Sequence, residues 1–363
     1  MVKKDKVNED LSNKSVAIIV YALNKSEGSE SGMGYHFAKN LSKKHNNAQI
    51  ITRKNNNDHD LKNIIDIDLP NFILKFKKYF NLHILYYFFW QLYVSMKFKK
   101  KFDIVYQVNF HSDWMPLFTY LIAKESWIVG PIGHHLSKSM LKEIFKYDKV
   151  FFLYSFLNYY FKKTIFYSWN YLILMNKSAK VYVLNKDHWI KAKQVIYLPS
   201  VGVEKVNKSE NKSNLVIYVG RLVDLKGVKV LPNVIRNNPD YQFKIIGDGE
   251  KKEFLKKSCS DLTNVSFTGW IDRVDVLKEF SNAKFFLFPS FEGAGMVAAE
   301  AGSRGCWPVV LKNSGPHELM GEFCTNINSI TDFSKINFSL LKTDLIGVVN
   351  HVSENLLFKN KTL

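Results

Sequence analysis

The chain has 363 residues, 46% of them hydrophobic and 15% aromatic, and a formal net charge of +18 at pH 7. That length supports about two domains with real cores. Cys259, Cys306 and Cys324 have neither metal-ligand nor paired spacing, which excludes a disulfide framework and points to a reducing compartment. No apolar run reaches the roughly 18 residues of a membrane-spanning helix. Met1 to Lys14 is polar and charged, so no secretory leader is read and a cytoplasmic protein is expected. The charge is uneven: residues 1–200 hold 30 Lys and Arg against 15 Asp and Glu, whereas residues 201–363 hold 21 against 18. A basic half of this kind suits nucleic acid, an anionic membrane surface or an anionic substrate.

Ser15 to Leu23 reads as a first strand, Gly28 to Gly34 as a glycine-rich loop, Tyr35 to Lys44 as a helix and Gln49 to Arg53 as a second strand. This is a Rossmann-like opening. A dinucleotide site would place an acidic residue at the end of the second strand, where Arg53 and Lys54 stand instead, so a nicotinamide dehydrogenase is not expected. Phe76 to Lys101 and Val150 to Lys177 follow as two aromatic stretches bordered by lysines. Two readings stay open for them: buried helices with solvated lysine ends, or amphipathic contact with anionic lipid. Between them, Phe102 to Phe110 and Trp127 to Gly133 read as strands that run into loops carrying His111, and His134 with His135. Leu198 to Glu204 and the polar run from Lys205 to Asn214 read as a linker between the halves.

Past the linker, Val216 to Gly227 is a strand and a glycine turn, with Arg221 and Lys226 bracketing the entry to a helix. Phe243 to Gly249 and Val265 to Trp270 are further strand-and-turn units. Phe285 to Ser290 is a short buried strand and Met296 to Arg304 the start of a helix, with Glu292 and Glu300 placed eight positions apart across the turn. Gly293 and Gly295 form that turn, where a side chain would obstruct a closely approaching ligand. In an open α/β sheet, ligands bind at the loops leaving the C-terminal ends of strands. Two carboxylates there can grip two hydroxyl-rich parts of one ligand. Asp344 to Phe358 reads as a final helix.

The Glu292–Glu300 spacing resembles the Glu-x7-Glu motif of retaining glycosyltransferases of family 4. The segments around Arg221, Gly247, Trp270 and Gly315 to Glu318 fall in the family's order. Gly28-Ser29-Glu30-Ser31-Gly32-Met33-Gly34-Tyr35 is similar to the signature of a branch that builds bacterial surface polysaccharides, and so is Trp127 to Gly133. The chain departs from that branch after Gly133, with His134-His135 where glycines are usual. The resemblance implies a GT-B fold: two Rossmann-like, doubly wound α/β domains facing across a cleft. The acceptor domain would span residues 1–204, the donor domain residues 205–345, and a C-terminal helix, residues 346–363, would pack back on the first domain.

For the site, the resemblance implies that Arg221 and Lys226 meet the donor diphosphate, Glu292 the donor sugar, and Glu300 the ribose hydroxyls. Gly220, Gly247, Gly293, Gly295 and Met296 would line the donor, and Gly28, Gly32 and Gly34 the mouth of the cleft. His134 is a candidate for orienting sugar or acceptor, with His135 and His111 beside it. Fixed cations at the leaving group can serve where other enzymes use a metal, and no Asp-x-Asp metal-binding signature is read in the chain, so neither metal nor cofactor is expected. The implied reaction moves a sugar from a UDP- or GDP-linked donor to a lipid-diphosphate-linked or lipid-A-linked saccharide, in O-antigen, capsule or lipopolysaccharide assembly. The protein would sit peripherally on the inner face of the cell membrane and bind no nucleic acid. Two other readings remain: a nucleotide-sugar 2-epimerase of the same architecture, and a non-catalytic basic adaptor for membrane or nucleic acid.

Overall fold

The computed structural model describes residues 14–23, 29–53, 60–71, 73–74, 83–108, 114–133, 136–176, 179–184, 186, 188–198, 203, 212–293 and 295–356. Within them, β1 (Val16–Val20), β2 (Gln49–Thr52), β3 (Ile64–Asp66), β4 (Phe102–Val108), β5 (Ala123–Ile132), β6 (Ala179–Val183) and β7 (Gln194–Tyr197) form one parallel sheet in the order β3-β2-β1-β4-β5-β6-β7. β1 is apolar throughout because both of its faces are covered. Val16, Ile18 and Val20 pack under Tyr35, Phe37 and Leu41 of α1 (Ser29–Lys44), while Ala17 and Ile19 share the opposite core with Trp90 and Val94 of α2 (His83–Lys97). Helices on both faces make the domain doubly wound.

Two expectations are refined here. Gly32 and Gly34 lie inside α1, whose helix starts at Ser29 rather than at Tyr35. A glycine in a helix costs about 1 kcal/mol against alanine, and the apolar stripe that follows offsets it by burial. The two aromatic stretches also part ways. The described portion of the first is α2, a core helix: Tyr86, Tyr87, Trp90 and Val94 are buried, and the Trp90 indole donates to the Ile67 carbonyl at 2.6 Å. The second forms α3 (Lys138–Tyr147), α4 (Lys149–Ile165), a π-helical turn at Phe166–Asn170 and α5 (Tyr171–Asn176). Along α4, Val150, Leu153, Tyr154, Leu157 and Phe161 stand exposed.

The second parallel sheet takes the order β10-β9-β8-β11-β12-β13 from β8 (Ser213–Val219), β9 (Gln242–Ile246), β10 (Val265–Gly269), β11 (Ala283–Phe288), β12 (Trp307–Leu311) and β13 (Thr325–Ile327). Its helices are α6 (Leu231–Arg236), α7 (Lys252–Ser258), α8 (Arg273–Asn282), α9 (Met296–Ser303), α10 (Gly315–Met320) and α11 (Leu345–Asn355). The strand order reverses between β8 and β11, which is the crevice where an open α/β sheet binds its ligand. α11 packs on α9 and α10, with Val348, Val349 and Val352 in the second core. This corrects the expectation that the last helix lies on the first domain; residues 357–363 fall outside the described residues. Cys259, Cys306 and Cys324 are buried free thiols in this domain, pushed up by burial to about 11, 12 and 12.

α3 ties the two domains together. Met140 and Ile144 enter the second core. The Glu143 carboxylate accepts from the Ser329 hydroxyl at 2.8 Å and from the Ile330 N–H at 2.9 Å. The Tyr147 hydroxyl accepts from the Lys229 N–H at 3.1 Å and donates to Asp224 at 3.4 Å, and its ring meets Phe291 edge-on at 5.2 Å. Asp148 caps α4 by accepting from the Val150 and Phe151 N–H groups, and it also pairs with Lys229.

Burial works to raise the Glu143 carboxyl, but Lys146, the Ile330 N–H and Ser329 outweigh it and hold the group below the ordinary glutamate value. A carboxylate held low in the folded state stabilises above its unfolded pKa and loses that contribution as pH falls through its folded one. Glu143→Gln should therefore melt below wild type at pH 7 and converge on it toward pH 3. Parallel melting curves at both pH values, equally spaced, would show that the clasp does not titrate.

Candidate functional site

The site lies at the reversal point of the second sheet. β8 ends in Gly220 and a turn bearing Arg221, fixed by the buried Tyr218 hydroxyl, which donates to the Arg221 carbonyl at 3.0 Å. The chain then makes a short 3₁₀ turn, Asp224–Lys226, that presents Lys226 inward. From β11, Ser290 is fully buried and accepts from the Glu292 N–H at 3.2 Å, which sets the direction of the Glu292 side chain. The Phe291 N–H donates to the Leu225 carbonyl at 3.0 Å, so the two loops are joined through their backbones.

The resemblance implies separate places for Lys226, at the diphosphate, and Glu292, at the sugar. The structure brings them into direct contact: the Lys226 ammonium donates to a Glu292 carboxylate oxygen. The ammonium lies 4.8 Å from the centre of the Phe288 ring. Burial pushes Lys226 below the ordinary lysine value, Glu292 pulls it back up, and Arg221 pushes it down. Arg221 itself is exposed, and among the described residues no carboxylate pairs with it. Lys226 is thus a buried cation paired with a carboxylate, and Arg221 an exposed one that no carboxylate among the described residues pairs with.

Glu300 lies on the second turn of α9 and is bound by Arg273, at the start of α8, at 2.6 Å. Arg273 escaped sequence reading because nothing around Trp270 to Arg273 announces a partner in α9; only the fold sets the start of α8 against that helix. Gly220 and Gly247 meet across the loops after β8 and β9, where a Cβ on Gly247 would lie 2.0 Å from the Gly220 carbonyl oxygen. A Cβ on Gly295 would lie 2.8 Å from the Cα of Pro316, so the turn and the start of α10 pack backbone to backbone there. Gly293 borders the same turn, and Met296 begins α9. Gly315, at the start of α10, donates its N–H to the Glu292 carbonyl at 2.9 Å. From the first domain, the Lys186 N–H reaches a Glu318 carboxylate oxygen at 3.0 Å.

Gly32 and Gly34 lie in the first two turns of α1, after β1. Gly28, His111, His134 and His135 fall outside the described residues. The chain does contain Asp-x-Asp spacings, Asp58-His59-Asp60 and Asp66-Ile67-Asp68, both in the first domain. Asp60 is tied to Lys39 at 2.8 Å and to the Tyr35 hydroxyl at 2.5 Å, and Asp66 ends edge strand β3, away from the β8–β11 crevice.

Residues 203–329 match the family model of Glycosyl transferases group 1. Over 100 residues the chain is 35% identical to the O-antigen biosynthesis glycosyltransferase WbnH of Escherichia coli, covering 28% of this chain and 29% of WbnH. The chain thus spans under a third of that curated relative's length. Among solved structures, it resembles WaaG, a glycosyltransferase involved in lipopolysaccharide biosynthesis, with a TM-score of 0.61 at 16% identity over 93% of this chain and 94% of that one. It also resembles Anabaena Alr3699/HepE in complex with UDP-glucose, with a TM-score of 0.62 at 14% identity over 96% of each chain. The fold is therefore GT-B, two parallel-sheet Rossmann-like domains, and its second domain carries the match to Glycosyl transferases group 1.

Proposed function

We propose that the protein is a retaining glycosyltransferase of family 4 that transfers a sugar from a UDP- or GDP-linked donor to a lipid-linked saccharide, in assembly of O-antigen, capsule or lipopolysaccharide. The observation that carries this reading is the Lys226–Glu292 pair at the reversal point of the donor-side sheet, with exposed Arg221 beside it. The names of WbnH, for O-antigen biosynthesis, and WaaG, for lipopolysaccharide biosynthesis, support that context, and the UDP-glucose complex of HepE supports a nucleotide-sugar donor.

In such a transfer, the bond between the anomeric carbon and the diphosphate oxygen breaks, a bond to the acceptor oxygen forms, and the acceptor's hydroxyl proton passes to the departing diphosphate. Positive charge develops at the carbon and negative charge on the diphosphate, so preorganised groups count most there. Arg221 is free to meet the diphosphate on entry. Lys226 shifts its hydrogen bond from Glu292 toward the phosphate as charge builds. Glu292 is then released toward the cationic sugar, and Glu300 exchanges Arg273 for the ribose hydroxyls. The chemistry needs no metal in this account. The exposed stripe on α4 supports peripheral association with the inner face of the cell membrane.

One incubation tests the reading. Radiolabelled UDP- and GDP-sugars with a diphospholipid acceptor mimic should give a glycosylated lipid, insensitive to EDTA. Arg221→Ala should slow it by on the order of 10²-fold, as for other lost donors to developing charge. A free epimerised nucleotide-sugar, or no turnover with any donor, would replace it with the epimerase or the adaptor reading. Loss of activity in EDTA, restored by magnesium or manganese, would overturn the metal-free step.

A further inference from the structure

A groove of about 400 Å³ runs between α3 and α4 of the first domain. Its two walls differ in chemistry. On α3, Lys138, Lys142 and Lys146 recur every fourth residue and so share one edge. Lys146 is engaged by Glu143 at 2.7 Å, whereas among the described residues Lys138 and Lys142 have no carboxylate partner. The rest of the lining is chiefly an aromatic ladder that starts on α3 and continues along α4: Phe145 of α3, then Phe152, Phe156 and Tyr160 of α4, pass ring to ring at centroid spacings of 5.1, 5.6 and 4.7 Å. Among the described residues, no acidic side chain lines the groove.

An apolar trough edged on one side by uncommitted ammonium groups fits a ligand that is itself divided, with an anionic head and a hydrocarbon chain. A peptide would leave its backbone polar groups unmet along the rings. A nucleic acid would need a cationic track along its whole backbone rather than one edge. The exposed stripe of Leu153, Leu157 and Phe161 on the adjoining face of α4 gives a chain an apolar approach.

We infer that the α3–α4 groove is a docking site for one phosphorylated lipid, with its phosphate against Lys138 and Lys142 and its chain along the Phe145–Phe152–Phe156–Tyr160 wall. The inference deepens the proposed function, since a lipid-linked acceptor has this chemistry, but the groove's ligand does not depend on which sugar is transferred. The same helix that offers the lysines carries Glu143 and Tyr147 to the second domain, so a lipid held there is anchored beside the joint between the domains.

The test uses the full chain and a photoactivatable single-chain alkyl phosphate below its critical micelle concentration. Saturable labelling, mapped by mass spectrometry to residues 138–160, is expected. Lys138→Gln with Lys142→Gln should weaken binding by about tenfold or more, as expected for two charges near an anionic group. Phe145→Ser with Phe156→Ser should weaken it comparably; both rings are well exposed, at 51% and 38%, so the fold should survive their loss. An unphosphorylated alkyl alcohol labelling the same segment equally well would overturn the proposal. So would an oligonucleotide that displaced the lipid at lower concentration, or label spread evenly over the outer face of α4. Failure of sugar transfer alone leaves the labelling result standing, so the two readings fail separately.

Discussion

Glu292→Ala lowers the stability of the folded chain by about 3–5 kcal/mol, and Lys226→Met added to it recovers most of that loss; these are the expected results of urea unfolding. The reason is an asymmetry of burial. The Lys226 side chain is only 11% exposed and Glu292 23%, so removing the carboxylate strands an ammonium in the protein, while removing both leaves an apolar residue beside Phe288. Lys226→Met alone should cost less, since Glu292 keeps more water. The pH dependence of the single mutant follows from sign. Burial already depresses Lys226 below its ordinary value of 10.5, and without Glu292 the depression deepens. A lysine with a lower folded than unfolded pKa destabilises fully at low pH, and stability rises with pH between the two values. Glu292→Ala should thus regain stability toward alkaline pH faster than wild type does. The double mutant should stay folded and inactive in transfer. If it is no more stable than the worse single mutant, the two groups are not coupled as described.

Gly227→Ala is the second large effect. Gly227 sits at φ +66°, and a Cβ there would lie 2.0 Å from the carbonyl oxygen of Pro289. The left-handed conformation alone costs about 1–2 kcal/mol for an alanine. The contact adds to it, because both partners are backbone and neither can rotate away. Pro289 leads into Glu292, so relieving the clash parts the two loops and pulls Lys226 off its partner. Gly269→Ala supplies the control, with φ +72° and no atom within 4 Å of its Cβ. Gly269→Ala should show the conformational cost and near-normal transfer, and Gly227→Ala a clearly larger loss of stability with transfer reduced by on the order of 10²-fold. Equal losses in the two variants would mean that the loops are free to move apart.

Much of this architecture was written locally. The strands β1, β8 and β11 are short apolar runs bounded by glycine or polar turns, and Glu292 and Glu300 fall where a strand gives way to a helix. Those features depend on a few neighbouring residues, so periodicity finds them. The Lys226–Glu292 contact does not: its partners are 66 positions apart and meet only because β8 and β11 are adjacent in the sheet. Arg273 was invisible for the same reason. The start of α1 was misjudged because glycines read as loop, although nothing in the backbone stops Gly32 and Gly34 from completing helical turns once Tyr35, Phe37 and Leu41 are anchored. The aromatic stretches carried too little signal to tell core from surface. α2 and α4 are both rich in Phe and Tyr, and only the sheet covering α2 and the open side of α4 distinguish them.

All of the chain's thiols belong to one half of the molecule. Cys259, Cys306 and Cys324 are shut inside the second domain, and residues 1–200 contain none. A thiolate-seeking reagent meets a double barrier at neutral pH, exclusion from the core and a thiol that burial keeps protonated. Labelling therefore waits on opening of the second domain and is blind to any event in the first. The protein carries its own clock for half of its unfolding, and a nucleotide-sugar seated between β8 and β11 would slow that clock without a single added probe.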